Sequence, residues 1–207
     1  MEPRANVAVI YYSATGHIAE IAKEIAETAE KAGAEVRLRK VAELAPLAAV
    51  DANPAWAANA AATADIPLAT AEDLIWANAV IMGSPTRFGN ISSQLKQFLD
   101  TLGPVWQQGL LADKIYSGFT STGTLHGGHE STLLALSHTF HHFGGIVVAP
   151  GYTHPDKWRD GNPYGTSHYD AGGTQPVDDT TRAAARVQAD RVVKLARAVR
   201  AGSAAGS

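Results

Sequence analysis

Cysteine is absent from the sequence, and this absence excludes several kinds of chemistry. Disulfides, thiolate nucleophiles, iron–sulfur clusters and cysteine-based zinc sites all require it. No apolar run approaches the roughly 20 residues that a membrane-spanning helix needs, and residues 1–6 lack the basic start of a secretory signal. The formal net charge of −3 provides no long-range attraction for nucleic acid or for an anionic membrane. We therefore expect a cytoplasmic protein that neither inserts into a membrane nor binds nucleic acid.

Apolar residues make up 45% of the sequence, which is enough for a sizeable core. Four short apolar runs stand out, at residues 7–11, 79–83, 114–120 and 145–149. They lack polar–apolar alternation, as is typical of strands buried on both faces of a parallel sheet. A fifth run, at residues 34–41, does alternate and predicts an edge strand.

Helical patterns separate these runs. The first carries an apolar stripe that begins at Ile18, and further helices are predicted at residues 92–102 and about 130–143. A last helix begins after Asp178 or Asp179, either of which can cap its first turn. The alternation of strand and helix predicts an α/β fold, a doubly wound sheet of five parallel strands.

Three segments fall outside this alternation, at residues 43–70, 103–113 and 150–177. Long ordered loops in a compact domain are usually functional or interfacial. We expect these insertions to enlarge the ligand-binding end of the sheet within a single domain of residues 1–200. Residues 201–207 are predicted to form a disordered tail.

The short turn after the first strand, with the sequence SATGH, is the first candidate site. It lacks the glycines of a dinucleotide fold, the lysine of a P-loop, the acidic residues of a phosphoacceptor domain and the pattern of a nucleophile elbow. What remains suits a terminal monophosphate, held by the Ser13 and Thr15 hydroxyls and by helix N–H groups. The alternative is that Ser13 and Thr15 only cap the helix.

Two further loops strengthen the first interpretation. Residues 83–90 follow the third strand and residues 120–130 follow the fourth, and both are rich in small residues. Open parallel sheets bind ligands at the carboxyl ends of their strands. In the strand order 2-1-3-4-5, the first and third strands flank the topological switch point, where the strand order reverses. The loops that follow these strands are therefore predicted to converge on one crevice.

The motifs YYSATGHI, SPTRFGN, STGTLHGG, HHFG and NPYG occur in this order. With them the chain resembles the flavodoxin-like NAD(P)H:quinone oxidoreductases of the WrbA family over nearly its whole length, and PTRFGN is the most specific piece. The resemblance implies a flavodoxin-like fold, an FMN cofactor, a homotetramer, and transfer of two electrons from NADH or NADPH to quinones by a ping-pong hydride mechanism.

The resemblance also implies roles for individual residues. His142 would stabilise the charge of the reduced flavin, and Trp106 and Thr15 would meet the substrates. The residues implied to bind FMN are Ser13, Ala14, Thr15, Gly16, His17, Ile18, Pro85, Thr86, Arg87, Phe88, Gly89, Ser121, Thr122, Gly123, Thr124, Leu125, Gly127 and His142. We expect the substitution Gly16→Val to abolish FMN binding by crowding the first loop.

The chain departs from the family pattern at three places. Thr15 stands where the family often has a tyrosine that meets the nicotinamide. Leu125 and His126 interrupt a run that is usually all glycine, and Phe143 replaces a second histidine. These departures affect the position that meets the nicotinamide and the loop after the fourth strand, which is implied to meet the flavin.

Alternatives remain for several residues. Arg87 could be a solvated loop residue, Phe88 could belong to the core, and Trp106 could anchor a subunit interface. His142 could instead bond the last carbonyls of its helix.

Alternatives also remain for the function. The spacing of His138, His141 and His142 is compatible with a metal site, although no metal is needed for the flavin interpretation. A flavodoxin-type electron carrier without turnover of its own, or an assembly protein in which flavin is vestigial, are the other functions that the sequence leaves open.

Overall fold

In the computed structural model, residues 4–205 are described, with side chains from residue 4 to residue 202. The strands are β1 (Asn6–Tyr11), β2 (Glu35–Lys40), β3 (Ala79–Pro85), β4 (Ile115–Thr122), β5 (Ile146–Val147) and β6 (Thr166–Tyr169). The helices are α1 (His17–Lys31), α2 (Leu47–Asp51), α3 (Pro54–Ala62), α4 (Ala71–Trp76), α5 (Ser93–Asp100), α6 (Gly103–Gln107), α7 (His129–His142), α8 (Pro155–Asp160) and α9 (Asp179–Ala205).

The strands form one parallel sheet in the order β2-β1-β3-β4-β5. This order confirms the predicted doubly wound, flavodoxin-like α/β fold. β1 and β3 pair from Val7 opposite Ala79, and β3 and β4 pair from Ala79 opposite Ile115. β1, β3 and β4 therefore start within one residue of one another, and their carboxyl ends lie at the same end of the sheet. We call the end of the sheet at Tyr11, Pro85 and Thr122 the carboxyl edge, and the opposite end the amino edge.

Each face of the sheet carries its own apolar core. Val7 and Val9 of β1 pack with α1 and α9 on one face. Ala8 and Ile10 pack with α4, α5 and α7 on the other. Because successive side chains of a strand point to opposite faces and both faces are covered, β1 is apolar and buried at every position from Val7 to Tyr11, which explains why the sequence showed no alternation.

The predicted fifth strand at residues 145–149 is wrong in length, because β5 contains only Ile146–Val147. After an excursion that includes α8, the chain returns as β6 and pairs with the carboxyl half of β4, from Phe119 opposite Thr166. β5 and β6 thus share the outer edge of β4. Pro150 has no N–H to donate to a strand ladder, so the chain leaves the sheet there.

Two other predictions need correction. The insertion at residues 103–113 lies at the amino edge, because it connects α5 to the start of β4, and it does not enlarge the ligand-binding end. α9 continues through residues 201–205, part of the predicted disordered tail, because alanine favours the helix. Residues 206–207 lie outside the described residues. Among the described helices, none has the length and apolar character needed to cross a membrane.

Candidate functional site

The turn between β1 and α1 presents a row of backbone donors. Gly16 precedes α1 with φ of 105°, a conformation that L side chains rarely adopt. Within the described part of the chain, the N–H groups of Ala14, Thr15, His17 and Ile18 donate no hydrogen bond. Four such donors at a helix N-terminus form a binding site for an anion. We call residues 13–18 the phosphate loop.

Side chains hold the phosphate loop in this shape. The Gly16 N–H donates to the Ser13 hydroxyl over 3.2 Å. The side-chain amide of Asn59, in α3, donates to the carbonyls of Ser13 and Ala14 over 2.8 and 3.0 Å. No side chain caps the first turn of α1, so the alternative that Ser13 and Thr15 only cap the helix is wrong. The main chain of Ser13 is instead held from the insertion at residues 43–70.

The loop after β3 is a tight turn with an aromatic residue at its tip. Arg87 and Asn90 exchange two backbone hydrogen bonds of 2.7 and 3.0 Å, and Phe88 and Gly89 between them have φ of 55° and 77°. Two positive φ angles in a row define a type I′ turn. Phe88 is fully exposed, so the alternative that it belongs to the core is wrong. Its conformation costs about 1–2 kcal/mol for a residue with a side chain, and no packing offsets that cost.

The loops after β3 and β4 are joined to each other. The Thr86 N–H donates to the Ser121 carbonyl over 2.9 Å, and its hydroxyl donates to the Gly127 carbonyl over 3.2 Å. A Cβ atom on Gly128 would lie 2.7 Å from the Cα of Gly89, so only glycine permits this approach of the two backbones. The predicted convergence of the loops is therefore present in the structure.

The loop after β4 begins buried and ends exposed. Ser121 and Thr122 are buried, whereas Gly123, Thr124 and Leu125 are exposed. The backbone N–H groups of those three exposed residues have no partner within the described part of the chain, so they remain available to a ligand.

A histidine lies behind this loop. The His129 Nε2 lies 2.8 Å from the Thr122 hydroxyl, which itself donates to the Thr124 carbonyl. A hydroxyl carries one hydrogen, so we assign Nε2 as the donor and Nδ1 as a bare acceptor. Nδ1 is buried and has no partner among the described residues. Burial lowers the pKa of His129 below its ordinary value, which keeps the ring neutral.

A fourth loop, at residues 170–175, closes the site. It belongs to the insertion at residues 150–177, which the sequence predicted at the ligand-binding end, but the sequence interpretation named no site residue in it. The Asp170 N–H donates to the Thr122 carbonyl over 2.9 Å, and Gly172 and Gly173 follow with positive φ. His17 of the phosphate loop reaches this segment, with Nε2 3.1 Å from the Gln175 carbonyl and Nδ1 3.8 Å from the Asp170 carboxylate. The pair Gly172–Gly173, which follows β6 after Asp170 and Ala171, was the available signal, because such a pair predicts a turn.

These loops enclose a cavity of about 260 Å³ at the carboxyl edge. The phosphate loop, the loop after β3, the loop after β4 and the fourth loop all contribute to its wall. The lining residues are Ser13, Ala14, Thr15, His17, Ile18, Pro85, Thr86, Arg87, Ser121, Gly123, Asp170, Gly172 and Gly173. The unpartnered N–H groups and the Ser13 and Thr15 hydroxyls form the donor set that a phosphate monoester requires, so the residues present fit the phosphate end of FMN.

A polar cluster supports the phosphate loop from the side of the insertion. The Tyr12 hydroxyl donates to Glu43 over 2.8 Å, and Gln94 donates to both of these residues. Burial raises the pKa of Tyr12, and the bond to Glu43 raises it further. The pKa of Glu43 lies below its ordinary value; burial opposes this shift, but hydrogen bonds from the Ala45 N–H, Gln94 and Tyr12 outweigh it. The phenol is therefore neutral and the carboxylate charged.

Asn59 was also missed by the sequence interpretation. Trp56 and Asn59 interrupt an otherwise continuous alanine run at residues 55–62. Three residues apart, they lie on one face of α3. The isolated amide in an alanine helix was the signal for a specific contact.

Nine predicted site residues do not line the cavity. Seven of them belong to the loops that form its wall, namely Gly16, Phe88, Gly89, Thr122, Thr124, Leu125 and Gly127. The other two, Trp106 and His142, lie at the opposite end of the sheet. The Trp106 indole donates to the His142 carbonyl over 2.6 Å, and both residues lie at the amino edge. β4 has eight residues and spans about 23 Å, which separates them from the phosphate loop. The His142 side chain is exposed at the end of α7, and Trp106 is 48% exposed. Their assigned roles stay predictions.

The chain was compared with known proteins. A sequence model of the family described as NADPH-dependent FMN reductase matches residues 5–160. A protein of Deinococcus radiodurans named NAD(P)H dehydrogenase (quinone) is 45% identical over 94% of this chain and 97% of its own length. The protein of the same name from Sinorhizobium fredii is 40% identical over 93% and 97%.

A solved structure agrees with these matches. The crystal structure described as a flavodoxin, WrbA-like protein from Agrobacterium tumefaciens superposes with a TM-score of 0.67 at 26% identity, covering 94% of this chain and 98% of that one. The family match covers most of the chain, the relatives align over nearly their full length, and the strand order is that of the flavodoxin-like fold. The chain therefore belongs to the NADPH-dependent FMN reductase family.

Proposed function

We propose that the protein is an FMN-dependent oxidoreductase that transfers two electrons from NADH or NADPH to a quinone. The observation that carries the proposal is the row of unpartnered N–H groups at the start of α1, which lines a cavity bounded by the loops after β3 and β4. The names of the relatives from Deinococcus radiodurans and Sinorhizobium fredii support the choice of electron donor and acceptor.

The phosphate end of FMN is held by residues 13–18. The donors are the Ser13 and Thr15 hydroxyls and the N–H groups of Ala14, Thr15, His17 and Ile18. The positive end of the α1 dipole compensates part of the phosphate charge, so no lysine is needed. Arg87, which lines the same cavity, adds a positive charge, and Asp170 adds a negative one.

The ring of FMN is held between the loops after β3 and β4. Pro85, Thr86 and Phe88 would flank the ring, and the unpartnered backbone N–H groups of residues 123–125 would donate to it. Bound FMN supplies the redox chemistry by accepting a hydride from a nicotinamide and passing two electrons to a quinone. The protein contributes binding, orientation and hydrogen bonds to the ring.

An open face beside the ring accommodates the two substrates in turn. Phe88, Arg87 and Thr15 are exposed at the mouth of the cavity. A flat aromatic side chain that is held outward on a strained backbone suits stacking against a nicotinamide or a quinone. Because both substrates need the same face, the first must leave before the second binds, which gives a ping-pong cycle.

Trp106 and His142 act at the cavity of a neighbouring copy in a homotetramer. The two residues contact each other at the amino edge of one chain, far from that chain's own cavity, and both side chains are accessible to a partner. In this arrangement His142 stabilises negative charge on the reduced cofactor of the neighbour, and Trp106 lines the substrate side. The cytoplasm, which holds the NADH and NADPH pools, is the proposed location.

The function is tested with purified protein that has been loaded with FMN. Quinone reduction by NADH or NADPH should require FMN. Plots of reciprocal rate against reciprocal quinone concentration, recorded at several concentrations of the nucleotide, should be parallel. Intersecting plots would contradict the ping-pong cycle. Protein that stays colourless after incubation with FMN would contradict the cofactor assignment and would favour an assembly role.

A further inference from the structure

The side-chain amide of Asn59 holds the phosphate loop from outside the cavity. Its two hydrogens allow two hydrogen bonds at once, and the Nδ2 atom donates to the carbonyls of Ser13 and Ala14 over 2.8 and 3.0 Å. Asn59 belongs to α3, in the insertion at residues 43–70, and does not line the cavity itself.

These two bonds fix the direction of two backbone donors. The Ser13 carbonyl shares a peptide unit with the Ala14 N–H, and the Ala14 carbonyl shares one with the Thr15 N–H. Both peptide bonds are trans, and in a trans peptide the C=O and N–H groups point in opposite directions. When Asn59 draws the two carbonyls toward α3, the N–H groups of Ala14 and Thr15 must point away from α3.

We propose that Asn59 is a positioning residue for the FMN phosphate, because it turns the Ala14 and Thr15 N–H groups toward the cavity before the cofactor arrives. Neither N–H has a partner within the described residues, and both residues line the cavity. The inference rests on the proposed phosphate site at residues 13–18. It adds a residue from an insertion that lies outside the recognised motifs.

The same contact couples the phosphate to the docking of α3. None of the residues of α3 is fully buried, and Trp56 is the side chain of α3 that packs, partly buried, against the apolar core. Polar contacts hold this region: Asn59 to the loop, the Trp56 indole to Glu43 over 3.0 Å, and the Lys40 ammonium to the Thr63 carbonyl over 2.5 Å. A ligand that fixes the phosphate loop must, by linkage, also stabilise the docked α3.

The first test compares the dissociation constants of FMN and riboflavin, measured by quenching of flavin fluorescence. Riboflavin lacks the phosphate and is otherwise the same ligand. Asn59→Leu removes both hydrogen bonds at similar volume, and we expect it to weaken FMN binding about 10- to 100-fold while riboflavin binding stays unchanged. Ala61→Leu is the matched control, because it adds the same side chain to an exposed position of the same helix. It should leave both constants unchanged.

The outcomes separate this inference from the proposed function. If wild-type protein binds FMN no more tightly than riboflavin, the phosphate site at residues 13–18 is wrong, and the inference about Asn59 fails with it. If wild-type protein prefers FMN and Asn59→Leu retains the full preference, the phosphate site stands and the inference about Asn59 alone is overturned.

The second test measures amide hydrogen exchange in α3. FMN should slow exchange of residues 54–62 in wild-type protein, and riboflavin should not. In Asn59→Leu this difference should disappear, whereas Ala61→Leu should keep it. Equal protection by FMN and riboflavin in wild-type protein would overturn the coupling, because the phosphate would then play no part in it.

Discussion

The hydroxyl of Thr86 donates a 3.2 Å hydrogen bond to the carbonyl of Gly127 and so joins the loop after β3 to the loop after β4. The same oxygen accepts bonds from the Gly89 N–H over 3.1 Å and from the Thr132 hydroxyl over 2.9 Å. One side chain therefore sets the separation of the two loops between which the flavin ring is proposed to bind.

Replacing Thr86 by valine keeps the shape of the side chain and removes its hydroxyl. We expect the free energy of unfolding to fall by about 1–2 kcal/mol, because the partners of the hydroxyl are left without it. FMN binding should weaken as the loops lose their fixed spacing. Urea denaturation and FMN titration measure the two effects, and Thr86→Ser should restore both. A valine variant that matches wild type in both respects would contradict the role assigned to Thr86.

Phe88 is expected to lower the free energy of unfolding while its exposed ring serves quinone reduction. Phe88→Asn places the residue that type I′ turns prefer at a position with positive φ, and should raise the free energy of unfolding by about 1 kcal/mol. Quinone reduction should fall, because the exposed ring is lost. Phe88→Ala is the control, since it removes the ring but keeps the strain, so it should lose activity without a gain in stability. Full activity in both variants would show that the exposed ring has no part in the reaction.

Gly16 is needed for its backbone conformation. The sequence interpretation predicted that Gly16→Val would crowd the phosphate loop, but a Cβ at this position meets only the Asn59 side-chain oxygen, at 3.8 Å. The φ of 105° is the obstacle, and even Gly16→Ala should cost about 1–2 kcal/mol and impair FMN binding.

The control for Gly16 lies at the amino edge. Gly109 has a φ of 74° with open space around it, so Gly109→Ala imposes a similar strain away from the cavity. Both alanine variants should lose stability, and only Gly16→Ala should lose affinity for FMN in a fluorescence titration. Gly16→Val protein that purifies yellow and active would contradict the proposed phosphate loop.

His129 makes the stability depend on pH. Because burial lowers its pKa below the ordinary 6.5, the unfolded chain binds a proton there more readily than the folded chain. The contribution of His129 is complete above pH 6.5 and is lost as the pH falls below that value. His129→Gln can still donate to Thr122 and does not titrate. Between pH 7 and pH 5 its free energy of unfolding should fall less than that of wild type, and parallel curves would refute this.

A mixing experiment tests whether His142 serves a neighbouring copy. Gly16→Val protomers lack the cofactor but keep His142, and His142→Ala protomers keep the cavity. His142→Ala alone should lower kcat/KM about 10- to 100-fold. Hybrid oligomers that contain both kinds of protomer are obtained by co-expression with two affinity tags and purification through both. Their activity should exceed that of either parent, because a cavity in a His142→Ala protomer can then receive His142 from a Gly16→Val neighbour. Hybrids no more active than the His142→Ala parent would place His142 outside the site.

The parts of the fold that depend on local patterns were predictable. β1, β3 and β4 lie in apolar runs buried on both faces, and their alternation with helices predicted a doubly wound α/β sheet. The order 2-1-3-4-5 is that of the flavodoxin-like fold, which the resemblance implied. β6 was not predictable, because Thr166–Tyr169 is a short polar strand whose partner, the end of β4, is distant in sequence. Its pairing depends on tertiary contacts, which no local pattern encodes.

The residues of the candidate site likewise fall into those that a local motif predicted and those that depend on tertiary contacts. The phosphate loop and the turn at Phe88 were found because each follows a strand and carries its own motif. Asn59 and Asp170 were missed because each reaches the site from a separate segment, through contacts with Ser13 and Thr122. The placement of Trp106 and His142 at the amino edge was also hidden, because a motif does not indicate which end of the sheet its residues occupy.

The most direct test of the account follows the two half-reactions of FMN-loaded protein without oxygen. NADH or NADPH is added first, and the visible absorption of the flavin is recorded. The account predicts that the band disappears and that a quinone, added afterwards, restores it. A flavin that stays bound and is unaffected by either nucleotide would contradict the account and identify the protein as an electron carrier.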